Sequence, residues 1–558
     1  MRSTIVRFVA VALVVTGSIL PNAALAQRKA KPVAVVTAAP AISVTPPAPV
    51  VTDAERWAEL AGRRERVANK IGANGVLVLY SGEPRVYTND VEYEFRAENN
   101  LYYLTNLNQK RARLVVMPGN TKYPAVLFIP KRDPAAETWT GHMYSPEEAA
   151  QISGVKEIWD FAEFEEFLRA LQNRQSYEPK NRLMSADTAA ATGTGYESLN
   201  SAAIRNEAIL FLLLPRDPES REYKAEQTLA SQWSRVNTGY AVRNAFPIFT
   251  ELRLRKSPLE LKYMQHAMDI STEAHERAQA AAMSAKWEYE VEAEVDYTFR
   301  RRNADNWGYP NIVGCGPNAT TLHYEESQGR VTPGQLMLMD VGAEYQHYTA
   351  DVTRTFPVNG KFSPEQAAIY QIVYDAQEAA ARATKPGATL PEVHNAAEEV
   401  IKDGLLRLGL ITDKNSQQFR VWFMHGNSHW LGMNVHDLGT SSGQPPVKLA
   451  PGMVFTNEPG IYVREDALDV LPKTPENEAF IAAVRPAFEK FKGTGVRIED
   501  DMLVTETGTE WMTKALPRSI ADIEAFLARV PREVHAAASR RPMDESIAIW
   551  SRRIWSLG

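Results

Sequence analysis

The chain has 558 residues, 44% of them hydrophobic and 23% charged, and its 62 basic and 68 acidic side chains leave a net charge of −6. This length exceeds one ordinary domain and predicts two domains plus tails. The charges are well mixed, so the chain lacks the basic stripe that nucleic-acid binding needs, and nucleic acid is excluded as a partner.

Residues 1–26 read as an export signal. Arg2 and Arg7 make the start positive, Phe8 to Leu20 is apolar but short for a bilayer span, and Ala24-Leu25-Ala26 has the small-x-small pattern of a cleavage site. Cleavage leaves no membrane span and predicts a periplasmic or secreted protein. Cys315 is the only cysteine, so no disulfide forms within the chain. Stability must then come from a large core, which this length allows. Residues 27–52, rich in Ala, Pro and Val, read as an extended linker.

Residues 53–245 form the first folded region. A helix is expected over Asp53 to Ile71, strands over Gly75 to Ser81, Arg113 to Pro118 and Pro124 to Pro130, and helices near 146–152 and 161–172. Alternating strands and helices predict an α/β domain. It holds no catalytic constellation.

Residues 246–516 form the second region. Ser257, Pro258 and Glu260 have the order of a capping box with proline in the first helical turn. Ser363 with Gln366 repeats that logic, and Thr389 with Glu392 starts a third helix ending near Gly409. Strands are expected at 335–342, 347–357, 453–457 and 495–505. Helices and hairpins in separate runs predict an α+β fold. Residues 517–558 read as a charged helical tail.

The chemistry-bearing residues lie in the second region. Asp340 and Asp351 sit on two strand-like runs around a turn. A turn centred between Tyr345 and Gln346 would set them face to face, roughly 5 Å apart. Two such carboxylates repel, and a divalent cation between them removes the penalty. His425, His429 and His436 fall within 12 residues, in a Gly- and Asn-containing stretch that argues against a helix. Glu458 lies where a strand meets a turn. Arg497 and Glu499 point the same way on another strand by the period of two. Asp340, Asp351, His429, Glu458 and Glu499 together offer four carboxylates and one imidazole without a thiolate. That set suits two hard or borderline divalent ions. Gly314-Cys-Gly316-Pro-Asn-Ala319 is a poor dinucleotide loop, because Pro317 disrupts the helix start such a loop needs, so no organic cofactor is expected.

These motifs, in this order, resemble the pita-bread metallopeptidases, and most closely the aminopeptidase P and prolidase branch. The resemblance rests on His323-Tyr324 after Gly316-Pro-Asn318, Ala350-Asp351 through Gly360, Met424-His425 through His436-Asp437, Glu458-Pro-Gly-Ile-Tyr462, and Arg497-Ile-Glu499-Asp-Asp501. Asn100 through Thr105 and Glu137 through Gly141 are similar to that branch's N-terminal domain. The resemblance implies a pita-bread catalytic domain after an α/β N-terminal domain. It implies that Asp340 holds one metal, Asp351 and Glu499 bridge both, and His429 and Glu458 hold the second. Manganese is the usual metal, with cobalt, zinc or iron as other occupants. The implied reaction is attack by a metal-activated hydroxide on the carbonyl before proline, releasing the N-terminal residue. His436 would stabilise the oxyanion, Glu458 shuttle the proton, His323 and His425 orient the substrate, and Arg497 align the carboxylates. Trp430 and Tyr324 are candidate walls for the proline ring.

Two other readings stay open at this level. A prolidase would cleave only dipeptides, and the long helical segment from Val463 toward Gly493 leans that way. A metal-free binding module of the same fold would have lost ligands, and none is lost here. The family also implies a homo-oligomer, dimeric or tetrameric.

Overall fold

A computed structural model gives the structure of the protein; it describes residues 42–186, 193–217, 220–439 and 445–530. The export signal, most of the linker and the tail beyond 530 lie outside the described residues. The described residues form one compact unit.

The first helix, Asp53–Ile71, begins where Thr52 and Glu55 cap each other reciprocally. A seven-stranded sheet follows, in spatial order Arg182–Met184, Ile158–Asp160, Ala125–Ile129, Arg113–Val116, Gly75–Tyr80, Ala208–Leu212 and Tyr240–Asn244. The strand Gly75–Tyr80 is buried throughout. Val76 and Val78 enter one apolar cluster and Leu77 and Leu79 another, so both faces of the sheet are covered. That is why the strand reads as a continuous apolar run rather than an alternating one.

The helix Pro258–Ala282 carries the predicted capping box of Ser257 and Glu260. Its residues Tyr263, Met264, Ala267 and Met268 join the cluster that holds Leu77 and Leu79. Glu260 fastens the same junction with its carboxylate. It accepts from the Ser257 amide at 2.9 Å and from the Tyr348 hydroxyl at 2.9 Å, with Arg63 of the first helix 3.6 Å away. The helices Pro364–Ala383 and Leu390–Leu408 start at the two other predicted capping boxes, and Gly409 ends the second in a left-handed conformation.

Two long antiparallel ladders lie against these helices. In one, Leu336–Asp340 pairs with Thr353–Pro357, and the ladder continues through Ala343–Tyr345 and Tyr348–Thr349. In the other, Val454–Asn457 pairs with Asp500–Val504, and Gly460–Val463 pairs with Thr494–Arg497. The expected single strand over 495–505 is therefore interrupted at Ile498 and Glu499. The two halves of each partner strand belong to different sheets. The segment after Val463 forms the helix Pro475–Phe491, as its composition predicts.

The described end of the linker is docked. Thr45 donates to Glu273 on the long helix from its amide at 2.8 Å and its hydroxyl at 2.7 Å. The tail begins with the helix Ile520–Arg529.

Candidate metal centre

The second ladder keeps its register across the interruption. Asn457 pairs with Asp500 and Gly460 with Arg497, which leaves Glu458 directly opposite Glu499. Like charges in opposed positions destabilise a ladder unless a cation lies between them. The interruption frees the two backbones at the point where these carboxylates project.

The first ladder differs from expectation by one step. Glu344 pairs with Thr349 and Asp340 with Thr353, so the turn centres between Gln346 and His347. Both turn residues have positive φ, 52° and 64°, which is the geometry of a tight primed turn. Asp340 therefore faces Thr353, and Asp351 lies diagonally, two residues away on the same face. A diagonal pair is still within reach of a shared ion.

The structure brings the five predicted residues together, with His429 and Glu458 partly exposed on one side. Asp340, Asp351 and Glu499 are 7%, 4% and 1% exposed. Donor atoms of Asp351, His429 and Glu499 lie within 4.8 Å of one another. His429 Nε2 is 3.2 Å from Asp351 Oδ2 and 3.6 Å from Glu458 Oε1. Its Nδ1 meets the Trp430 carbonyl at 3.1 Å and must donate to it, so when the ring is neutral the Nε2 lone pair is the one turned toward the carboxylates. This backbone partner fixes a metal-binding tautomer.

Arg497 organises the opposite side. It donates to Asp340 Oδ2 at 2.5 Å, to the Tyr462 hydroxyl at 2.9 Å and to Thr353 Oγ1 at 3.0 Å. Thr353 in turn donates to Glu499 Oε2 at 2.6 Å. Arg497 thus holds Asp340 directly and Glu499 through Thr353. Tyr309 donates to the other Asp340 oxygen, Oδ1, at 2.5 Å. Neither Tyr309 nor Thr353 was singled out from the sequence. Thr353 shares the period of two with Asp351, a signal that was available. Tyr309 carries no local signal. It arrives because Asn306–Trp307 pairs with Ala343–Glu344, and because Gly342 has no Cβ to meet its ring.

The histidines divide by environment. His425 has both ring nitrogens engaged, Nδ1 with the Gly426 carbonyl at 2.7 Å and Nε2 with the Tyr462 hydroxyl at 2.9 Å. Burial and the Arg497 charge push its pKa down to about 3, so the ring is neutral. The His436 ring stands 4.4 Å from that of His429. Partial burial and the adjacent His429 hold it down to about 4. His323 lies exposed at the edge of the site, close enough for its charge to act on His436. Trp430 is not a pocket wall: it is 7% exposed and packs against Phe455 in the core. Tyr324 is pinned by its hydroxyl to Glu288 at 2.9 Å.

The carboxylates are under-compensated by protein alone. Burial and the Asp340 charge raise the pKa of Asp351. Burial raises Glu458 to about 7, and burial with the Asp351 and Glu458 charges lifts Glu499 well above the usual carboxylate range. Burial opposes protonation of His429, but the hydrogen bond to Asp351 and the Glu458 charge overcome it and hold His429 up at about 9. Acids that keep protons around a protonated imidazole are what a cation site looks like before the cation displaces them. The donor set, mostly oxygen with one imidazole, fits hard or borderline divalent ions.

Comparison with known proteins agrees with this geometry. The family model for metallopeptidase family M24 matches residues 262–506, and that for the aminopeptidase P N-terminal domain matches residues 60–178. A Xaa-Pro aminopeptidase of Haemophilus influenzae is 34% identical over 474 residues, covering 84% of this chain and 97% of its own. The solved aminopeptidase PepP of Pseudomonas aeruginosa superposes with a TM-score of 0.70 at 30% identity, covering 86% of this chain and 98% of its own. Zinc-substituted Escherichia coli aminopeptidase P in complex with product superposes at 0.69 with 28% identity, covering 86% and 99%. The expected pita-bread fold after an α/β N-terminal part is met. The chain therefore belongs to metallopeptidase family M24, in its Xaa-Pro aminopeptidase branch.

Proposed function

We propose that this protein is a metal-dependent aminopeptidase that releases the N-terminal residue from peptides with proline in second position. One observation carries the reading: five donors, four of them carboxylates and three of those buried, converge where the protein supplies too little positive charge to neutralise them. The names of the relatives support the proline specificity.

Asp340, Asp351, His429, Glu458 and Glu499 are the residues that would hold two divalent ions. Manganese is our first assignment, with cobalt, zinc or iron as other occupants. When bound, such a pair acidifies the attacking water and polarises the scissile carbonyl. The chain's own residues do the rest. Arg497 and Tyr309 fix Asp340 from its two oxygens. Glu458 takes the proton and passes it toward the leaving proline nitrogen. His436, neutral at pH 7, donates to the developing oxyanion. Because both nitrogens of His425 are engaged, this residue offers the proline its ring face, with His323 on the open side. Recognition by shape suits an X-Pro amide, which has no N–H to grip.

The test is hydrolysis of Ala-Pro and Ala-Pro-Gly before and after chelation. Chelation is expected to abolish activity and manganese to restore it, with Ala-Pro-Gly the better substrate. Preference for Ala-Pro would make the enzyme a prolidase. Full activity after complete metal removal would overturn the reading.

We further propose a division into 53–245 and 246–516, export to the periplasm or beyond after cleavage at Ala26, and a homo-oligomeric state. The N-terminal sequence pattern supports export.

A further inference from the structure

A cavity of about 540 Å³ lies one strand-length from the metal centre and is lined by Pro317, Leu322, Met424, Arg464, Glu465 and Asp466, among others. Its size falls in the range of small-ligand sites, roughly 300–1,000 Å³. Its position follows from the sequence. Leu322 immediately precedes His323, and Met424 immediately precedes His425. Arg464 is two residues beyond Tyr462, whose hydroxyl joins His425 to Arg497.

The ladder of Gly460–Val463 with Thr494–Arg497 connects the two places. Its Arg497 end holds Asp340, and its Val463 end opens into the helical segment, closed by a bond from the Gly493 amide to the Val463 carbonyl at 2.8 Å. Three residue steps separate the ends, about 10 Å at roughly 3.3 Å per residue. An extended peptide covers that distance in about three residues. Gly495 lets the turn that carries Pro317 lie directly on the strand, since a Cβ there would overlap the Ala319 carbonyl. The apolar floor is open: Met424 is 37% exposed, an unusual position for a large apolar side chain beside a polar centre. Arg464 and Asp466 pair with each other at 2.7 Å on the rim. They neutralise one another, Glu465 between them leaves the rim acidic, and the floor is the attraction for an uncharged side chain.

We propose that this cavity is a substrate subsite, built by the segment after Tyr462, that takes a large apolar side chain on the second residue after the proline. The inference rests on the aminopeptidase reading above. Proline and the residue after it fill about two thirds of the roughly 10 Å span, by strand rise. The next side chain then lies over Leu322 and Met424. The segment thereby selects peptides longer than the dipeptide.

The experiment measures kcat/KM for amidated Ala-Pro-Gly-Leu and Ala-Pro-Gly-Gly on the manganese enzyme. Burying a leucine side chain is worth about tenfold or more, so the wild type is expected to favour the leucine peptide by about tenfold. Met424→Ala is expected to reduce that ratio to about twofold to threefold. Thr321→Trp, a filling change at an exposed position of the same cavity, is expected to bring it to about one. Equal rates in the wild type, or an undiminished ratio in both variants, would refute the subsite. Absence of cleavage of any X-Pro peptide by the wild type would instead strike the underlying activity.

Discussion

Glu458 and Glu499 occupy opposed positions in one ladder, with Asp351 beside them, so each raises the proton affinity of the next. Removing one charge should therefore act in opposite directions on stability and function. Glu458→Gln and Glu499→Gln are each expected to raise the melting temperature of the metal-free protein at pH 8, because a carboxylate with a raised folded-state pKa destabilises the fold above its ordinary pKa. Both are expected to lower turnover of Ala-Pro-Gly by at least a hundredfold. Calorimetry after chelation, beside kinetics with manganese, checks the pair. A melting temperature that falls in both variants would count against charge repulsion at this site. The residues proposed as ligands were picked from the sequence because histidines and acids at strand ends stand out against an apolar background, and the structure gathers them. Tyr309 was not, because it reaches Asp340 only through tertiary pairing. Thr353 shares a face with Asp351 by the period of two, but its role shows only once Arg497 and Glu499 are seen on either side of its hydroxyl.

At the scale of elements, three capping boxes and the first helix were readable to the residue, because a cap is a local hydrogen-bond pattern. Register was less so. The turn between the carboxylate strands slipped by one position, since Gln346 and His347 give no Asn-Gly signal for the primed turn they adopt. The break at Ile498 and Glu499 was invisible because nothing in Val496 to Asp501 stops a strand; the sheet changes partner there. The helix Lys224–Ser234 buries Glu226 at 2% exposure. Burial raises its pKa to about 8, with the Glu98 charge adding to the effect and Arg113 offsetting only part of it. Between the ordinary carboxylate pKa and about 8, the folded chain holds a proton that the unfolded chain has released. Stability therefore falls as pH rises through that window. Glu226→Gln is expected to match the wild type near pH 4.5 and to exceed it by a few kcal/mol, on the order of one per pKa unit, near pH 8. Denaturant titrations at the two pH values measure this. An equal effect at both would exclude burial of the charge as its cause.

For the whole molecule, the absence of disulfides fits a fold that relies on continuous apolar clusters, one of which links the seven-stranded sheet to the helix Pro258–Ala282. Export would deliver such a chain into an oxidising compartment with its one thiol, Cys315, buried. The mature protein recovered from the periplasm or medium is expected to begin at Gln27, which N-terminal sequencing checks; a start at Met1 would exclude cleavage. The ladder through Glu458 and Glu499 also bears on how this molecule can vary. A slip of one residue would turn every side chain on that strand pair to the wrong face, so its metal end tolerates no added or lost residue. Beyond Val463 and Gly493 the connection answers only to loop closure, where each doubling of length costs about 0.6 kcal/mol. Divergence in substrate range can thus accumulate by lengthening one end of a pair whose other end is locked by chemistry.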